Sequence, residues 1–315
     1  MTLILAIPLF LASSAVTFAA AGFFAEKLDH IGPRLGLPEA VVGLLTAAAA
    51  DAPEISSALV ALTRGEKEVS LGVVLGSNVF NLAAMIGVSA VLAGTVTLRR
   101  DALIVEGTVG LLTTLVAAGL LLGVLSAAVS VALFALILVP YLVIVARSPG
   151  KPLDDRPPAS RHLAEGAILK PTLLILPAVA LIVVGSTGMV RSALVLADHW
   201  HVPKAIVGIL VLAVLTSLPN AFTAVRLGLS RRGAALVTET LGSNTINLVG
   251  GVLLPALVVG LAGSSGTVDF DLTWLVGMTC LALLMLGRER GVGRRGGALL
   301  IVLYLVFVAV QLALA

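Results

Sequence analysis

Apolar residues run through this chain in long blocks separated by short polar stretches, and ten of the blocks approach the roughly 20 residues that a helix needs to cross a bilayer. They fall at 3–25, 38–62, 69–94, 102–122, 125–146, 172–196, 203–228, 234–262, 268–286 and 296–314, the fourth and fifth meeting at Gly123. Between the fifth and sixth lies SPGKPLDDRPPASRHLAEGAILK, residues 148–170, whose proline and charge content reads as a solvated linker. The pattern predicts an all-α polytopic membrane protein of ten transmembrane helices, divided into a first half, 1–147, and a second, 171–315.

The two halves carry copies of one motif, at 38–82 and 203–248. AVVGLLTAAAADAPEISSALVAL followed by LGVVLGSNVFNL answers to AIVGILVLAVLTSLPNAFTAV followed by ETLGSNTINL. Pro38 and Gly43 match Pro203 and Gly208 at an offset of 165, whereas Pro53, Gly76, Ser77, Asn78, Asn81 and Leu82 match Pro219, Gly242, Ser243, Asn244, Asn247 and Leu248 at 166. One inserted residue in the second copy reconciles the offsets. A duplicated pair of proline-interrupted, polar helices inside an apolar chain points to the ion site of a transporter.

Composition agrees with a bilayer environment. Of 315 residues 59% are hydrophobic and 12% charged, against about 25% charged in soluble domains, and the mean hydropathy is +1.12. The net charge of +3 does not point to nucleic acid, because the basic residues sit between apolar runs and act as topology signals. Sixteen of the twenty, including those of the linker, fall on one side of the ten-span plan; Arg64, Lys67, Arg191 and Lys204 fall on the other. The positive-inside rule then predicts an integral plasma (inner) membrane protein with a cytoplasmic linker and both termini outside. Each half has an odd number of spans, so the two repeats enter the membrane from opposite faces.

Some features carry no chemistry. The first apolar run lacks the basic n-region of a signal peptide and is kept as a mature helix. Cys280 is alone, so no intrachain disulfide forms. His199 and His201 flank Trp200 in a loop and read as surface residues. Glu106 is expected to pair with Arg99 or Arg100 at the membrane edge, and Asp269 and Asp271 to end a span at the outer interface.

The chemistry concentrates in the repeats. Asp51 and Glu54 lie in the middle of an apolar span, where an unpaired charge costs at least about 2.5 kcal/mol. Three residues apart, they share one helix face at about 60°. Pro53 between them removes a backbone donor and frees carbonyls near Ala49 and Ala50 as further oxygen ligands. The second repeat supplies Thr216, Ser217 and Asn220 around Pro219, neutral oxygen donors suited to a hard cation such as Na⁺ or Ca²⁺. The GSN segments add Ser77 with Asn81 and Ser243 with Asn247, each pair one turn apart, while Gly76 and Gly242 allow close helix approach. Glu239, one turn before Ser243, reads equally as a third site carboxylate, a proton acceptor or an interfacial acid.

These residues resemble the cation/calcium exchanger superfamily, which includes the sodium/calcium exchangers. The resemblance spans nearly the whole ten-helix plan and is most specific in the two alpha repeats, ADAPEIS with GSNVFN and TSLPNAF with GSNTIN. It implies inverted halves, a central cation site within four repeat helices, and sliding of the first and sixth helices to alternate access. Glu54, Ser77 and Asn81 in the first repeat, and Thr216, Ser217 and Ser243 in the second, match ligand positions of the family; Ala47 and Val211 or Leu212 occupy the region that supplies backbone carbonyls. Prokaryotic members resemble T-S-x-P-E in both repeats, whereas here Asp51 appears in the first and Asn220 replaces the acid in the second. Asn247 stands where several sodium-coupled members carry Asp.

The resulting expectation is a secondary antiporter, not an enzyme, that exchanges Na⁺ for Ca²⁺ at a midplane site and uses no cofactor. Its partners are inorganic cations and the lipid bilayer. Proton-coupled exchange remains the alternative, with Asp51, Glu54 or Glu239 carrying the proton. A channel is disfavoured because nothing resembles a repeated carbonyl filter, and an intramembrane aspartyl protease because Asp51 is the sole Asp deep in a span.

Overall fold

The computed structural model describes residues 3–31, 47–147, 169–261 and 266–314. The linker over 148–168 and the start of the second span over 38–46 lie outside the described residues.

The described chain is mostly helical. Its long elements are α1 (Leu3–Ile31), α2 (Ala52–Thr63), α3 (Lys67–Ala93), α4 (Arg100–Leu121), α5 (Ala127–Arg147), α6 (Leu169–Trp200), α7 (Lys204–Leu229), α8 (Gly233–Val259), α9 (Gly266–Leu286) and α10 (Arg294–Leu314). Among the described residues eight helices are long and apolar enough to cross a membrane: all of these except α2 and the shorter apolar stretch of α5. One departure from an all-helical chain is a two-residue antiparallel bridge, β1 (Thr95–Val96) with β2 (Val292–Gly293), pairing Thr95 with Gly293 and Val96 with Val292. It joins the loop after α3 to the loop before α10.

Burial ranks the helices. In α3, 89% of the most apolar window is buried, against 28% in α1 and 22% in α10, so α3 is the central rod and α1 and α10 show most of their surface to the outside. An apolar helix face left uncovered by protein is what lipid covers in a membrane protein. α3 packs against α2, α7, α8 and α9, while α10 covers its segment Leu82–Val88.

Small residues set the closest contacts. A Cβ added at Gly76 of α3 would lie 2.5 Å from the backbone oxygen of Ile209, and one at Gly208 of α7 would lie 2.5 Å from the backbone oxygen of Val69. The two backbones therefore touch where glycine leaves room. Gly185 and Gly188 do the same for α6 against Ser13 and Thr17 of α1, and these two long helices lie alongside each other. Gly242, the repeat counterpart of Gly76, faces no described atom within 4 Å.

Three stretches widen into π-helix: Leu82–Val88, Val207–Leu212 and Val249–Leu253. The first begins just after Asn81 and the third two residues after its counterpart Asn247. Such bulges appear frequently at functional sites because they re-aim side chains within an otherwise regular helix.

The ends of the bundle differ in charge. At one end Lys204 pairs with Glu66 at 2.7 Å and Lys67 donates to the carbonyl of Gly260 at 3.2 Å. At the other, the β1–β2 bridge lies beside the turn before α8, where a Cβ on Gly233 would meet the Thr97 oxygen at 2.9 Å. Arg99, Arg100, Arg231, Arg232, Arg288, Arg290, Arg294 and Arg295 belong to the loops and helix ends of that second face.

Candidate cation site

α2 and α7 differ at the proline that the repeats share. In the first copy, residues 47–50 are helical, Asp51 is a turn residue at φ −82° and ψ −2°, and α2 restarts at Ala52 with Pro53 in its first turn. In the second, the α-helix runs unbroken through Pro219 from Ala213 to Leu229. Proline is tolerated in a helix's first turn, where an N–H is unpaired anyway. The interruption therefore falls at Asp51, whose N–H still reaches the Ala47 carbonyl at 3.0 Å and whose carbonyl accepts from Ile55 at 3.1 Å.

Asp51, 1% exposed, is the hub of the site. Its Oδ1 accepts from Asn220 Nδ2 of α7 at 2.6 Å and from Ser243 Oγ of α8 at 2.6 Å. Two residues of the second repeat thus hold one carboxylate oxygen of the first, while Oδ2 has no hydrogen-bond partner. Glu54, fully buried, has no hydrogen-bond partner on either carboxylate oxygen. The buried hydroxyl of Ser217 lies beside this carboxylate.

A further amide reaches this pair through Ser243. Asn81 Nδ2 donates to Ser243 Oγ at 3.3 Å and to Asn244 Oδ1 at 3.1 Å, leaving Asn81 Oδ1 without a donor. Asn247 is fully buried with neither amide atom bonded. Buried polar groups in native proteins are nearly always paired. Here carboxylate, hydroxyl and amide oxygens from both repeats lack protein partners together, and these are the ligands a hard cation takes.

The sequence-predicted residues divide into groups. Asp51, Glu54, Ser217, Asn81, Asn220 and Ser243 come together at the buried centre, and Asn247 is buried one turn beyond Ser243. Asn220, expected as an oxygen ligand, uses its amide nitrogen to hold Asp51. Ser77 and Thr216 are buried, but their hydroxyls donate to their own helices: Ser77 to Val74 at 3.0 Å, and Thr216 to Leu212 at 2.8 Å and Ala213 at 3.3 Å. The Leu212 and Ala47 carbonyls are correspondingly engaged. Glu239 is half-buried one turn before Ser243, and among the described residues no three His, Cys, Asp or Glu side chains are grouped to hold a metal. Glu239 lies close enough to Asp51 for their charges to interact.

One expectation outside the site is corrected. Glu106 accepts from Tyr141 of α5 at 3.2 Å while Arg99 binds Asp101 at 2.8 Å, because an exposed partner two residues away in the first turn of α4 lets Arg99 stay in water. Asp269 and Asp271 lie in the first two turns of α9, where Asp271 is buried and accepts from Gln311 of α10. His199 and His201 are exposed, as surface residues, although His199 sits in the last turn of α6 and only His201 in the turn that follows.

Asn78 and Asn244, matched positions of the two repeats in the sequence, form a further contact between them. Each donates its side-chain amide to the other's backbone carbonyl, both at 3.1 Å, across 166 residues of sequence. The signal was present in the identical third residue of the two GSN segments.

Comparison with known proteins gives a consistent picture. The profile of the family described as "Sodium/calcium exchanger protein" matches twice, over residues 5–148 and 170–313, once on each half. The Escherichia coli inner membrane protein YrbG is 28% identical over 288 residues, covering 87% of this chain and 86% of that protein. The putative antiporter CaxA of Alkalimonas amylolytica is 24% identical over 296 residues, covering 90% and 91%. Among solved structures, the sodium-calcium exchanger NCX_Mj soaked with 10 mM Na⁺ and zero Ca²⁺ aligns with a TM-score of 0.65 at 21% identity, covering 98% of this chain and 99% of its own. Native YfkE aligns with a TM-score of 0.70 at 16% identity, covering 95% and 90%.

Proposed function

The chain belongs to the sodium/calcium exchanger protein family, and on that premise we propose that this integral membrane protein is a secondary active antiporter exchanging Na⁺ for Ca²⁺ by alternating access. The carrying observation is the buried set of unpartnered oxygens on Asp51, Glu54, Ser217 and Asn81, drawn from both repeats. Two carboxylates hold a formal charge of −2, which one Ca²⁺ or two Na⁺ neutralise. A half-loaded site keeps a net charge and resists moving through the low-dielectric core, so the ions compete for the same oxygens and exchange is enforced.

The architecture behind this reading is ten transmembrane helices in two inverted halves. Three findings support it: one family match per half, π-segments following Asn81 and Asn247, and the reciprocal Asn78–Asn244 contact. A contact in which each residue makes the other's interaction is what a two-fold axis produces. α1 and α6 are the moving pair, joined through Gly185, Gly188, Ser13 and Thr17 and passing as a unit over the fixed site. The Arg-rich end faces the cytoplasm, with both termini outside.

Proton coupling is the second reading, favoured by Glu54. A carboxylate with no protein donor on either oxygen is as well satisfied by a proton as by a cation. Uptake of ⁴⁵Ca²⁺ into proteoliposomes under imposed Na⁺, K⁺ or H⁺ gradients separates the two. An outward Na⁺ gradient alone should drive accumulation; a pH gradient doing so in its place assigns the proton, and flux that follows only voltage contradicts antiport.

A further inference from the structure

Apart from the central site, the structure carries a strongly basic concavity of about 960 Å³ where α9 ends and α10 begins. Four arginines line it, Arg288, Arg290, Arg294 and Arg295, with Glu289 as its single acid. All four arginines are exposed, and none forms an ion pair among the described residues. Elsewhere on this face Arg99 has an acid within 2.8 Å, so pairing is available to this surface but is not used in the concavity.

The backbone adds to the positive field. α10 starts at Arg294, and its first turn contains no acidic residue. The N-terminus of a helix carries unpaired N–H groups and about half a unit of positive charge, so cations there are disfavoured and anions favoured. Two arginines at that terminus and two more across the Gly291 turn, which has φ +59°, concentrate like charge that a bound anion would offset. Retention of basic residues on one side of a membrane accounts for arginines in this loop. It does not account for their convergence on one hollow at a helix start.

We infer that this pocket binds the phosphate of an anionic phospholipid headgroup. It lies at the ends of two apolar helices long enough to span the bilayer, at the level where headgroups sit, and arginine forks match phosphate oxygens in pairs. The pocket also includes Gly94, at the end of α3, beside the β1–β2 bridge. A headgroup there fastens the α9–α10 loop to the end of the helix that carries Ser77 and Asn81. The inference does not depend on which ion is transported.

The test uses the full-length protein in detergent, with native mass spectrometry after addition of phosphatidylglycerol or phosphatidylcholine and, separately, inorganic phosphate. Phosphatidylglycerol should be retained over phosphatidylcholine and should not be displaced by millimolar phosphate. Each arginine near an anionic headgroup contributes about fivefold, so Arg288→Gln with Arg290→Gln should lower retention about 25-fold. Arg231→Gln with Arg232→Gln removes equal charge from the same face outside the pocket and should leave retention within about twofold of wild type. Equal losses in the two double variants would indicate only a diffuse positive surface, and displacement by phosphate would indicate a site for free anions; either overturns the inference, as does equal retention of the two lipids. If the glutamine pair fails to insert, the wild-type comparison of the two lipids and phosphate decides alone.

Discussion

Asn78 and Asn244, 166 residues apart, each donate a side-chain amide to the other's backbone carbonyl at 3.1 Å. The bond pair fastens α3 to α8 beside the carboxylates, and Asn81 extends it by donating to Asn244 Oδ1. Asn78→Ala or Asn244→Ala should each lower stability by about 0.6–1.7 kcal/mol, the range for interhelical hydrogen bonds in membranes. Thermal unfolding in detergent measures this. Unchanged midpoints in both variants would show that the contact does not hold the two repeats together.

Asn220 and Ser243 hold one oxygen of Asp51, each at 2.6 Å. Hydrogen bonds to a charged group contribute about 1.5–3 kcal/mol, so Asn220→Ala should weaken Ca²⁺ half-saturation by about tenfold or more while preserving insertion. The charge-relocating pair Asp51→Asn with Asn220→Asp keeps two carboxylates and should recover part of the exchange lost in Asp51→Asn alone. No recovery in ⁴⁵Ca²⁺ flux would mean that the position of the charge, as well as its amount, is fixed.

Gly76 and Gly208 allow α3 and α7 to touch, each leaving 2.5 Å between a virtual Cβ and an opposing backbone oxygen. Backbone cannot retreat as a side-chain tip can. Gly76→Ala or Gly208→Ala should therefore cost about 1–3 kcal/mol, whereas Gly242→Ala, with nothing described within 4 Å, should be near neutral. Comparing the unfolding midpoints of the three variants checks the asymmetry.

Glu239 stands one turn from Ser243, and among the described residues no three His, Cys, Asp or Glu side chains are grouped to hold a metal. Glu239→Gln should leave the ratio of ions exchanged unchanged, as read from reversal potentials in proteoliposomes. A changed ratio would make Glu239 part of the transported charge balance.

The sequence revealed the site more fully than the way its parts are held. Asp51 and Glu54 stood out because carboxylates in an apolar run need a reason, and the repeat supplied Ser217, Asn220, Ser243 and Asn247 as their company. What could not be read was the division of labour. Asn220 is equally able to donate or to accept, and only the position of Asp51 beside it decides that its nitrogen faces the site. Ser77 and Thr216 have carbonyls of their own helices within reach, a local competition that pattern alone does not resolve. Glu106 was assigned to the nearest cations in sequence, but its partner Tyr141 is brought in by packing of α4 on α5. The β1–β2 bridge is too short to leave a period, and the π-segments arise where tertiary contact overrides helix regularity.

The central claim is that Asp51 and Glu54 form the transport site, and ⁴⁵Ca²⁺ uptake into proteoliposomes under an outward Na⁺ gradient, comparing wild type with Asp51→Asn and Glu54→Gln, tests it most directly. Wild type should accumulate Ca²⁺ and neither variant should, although both insert and purify as folded protein. Uptake at the wild-type rate in either variant would contradict the account.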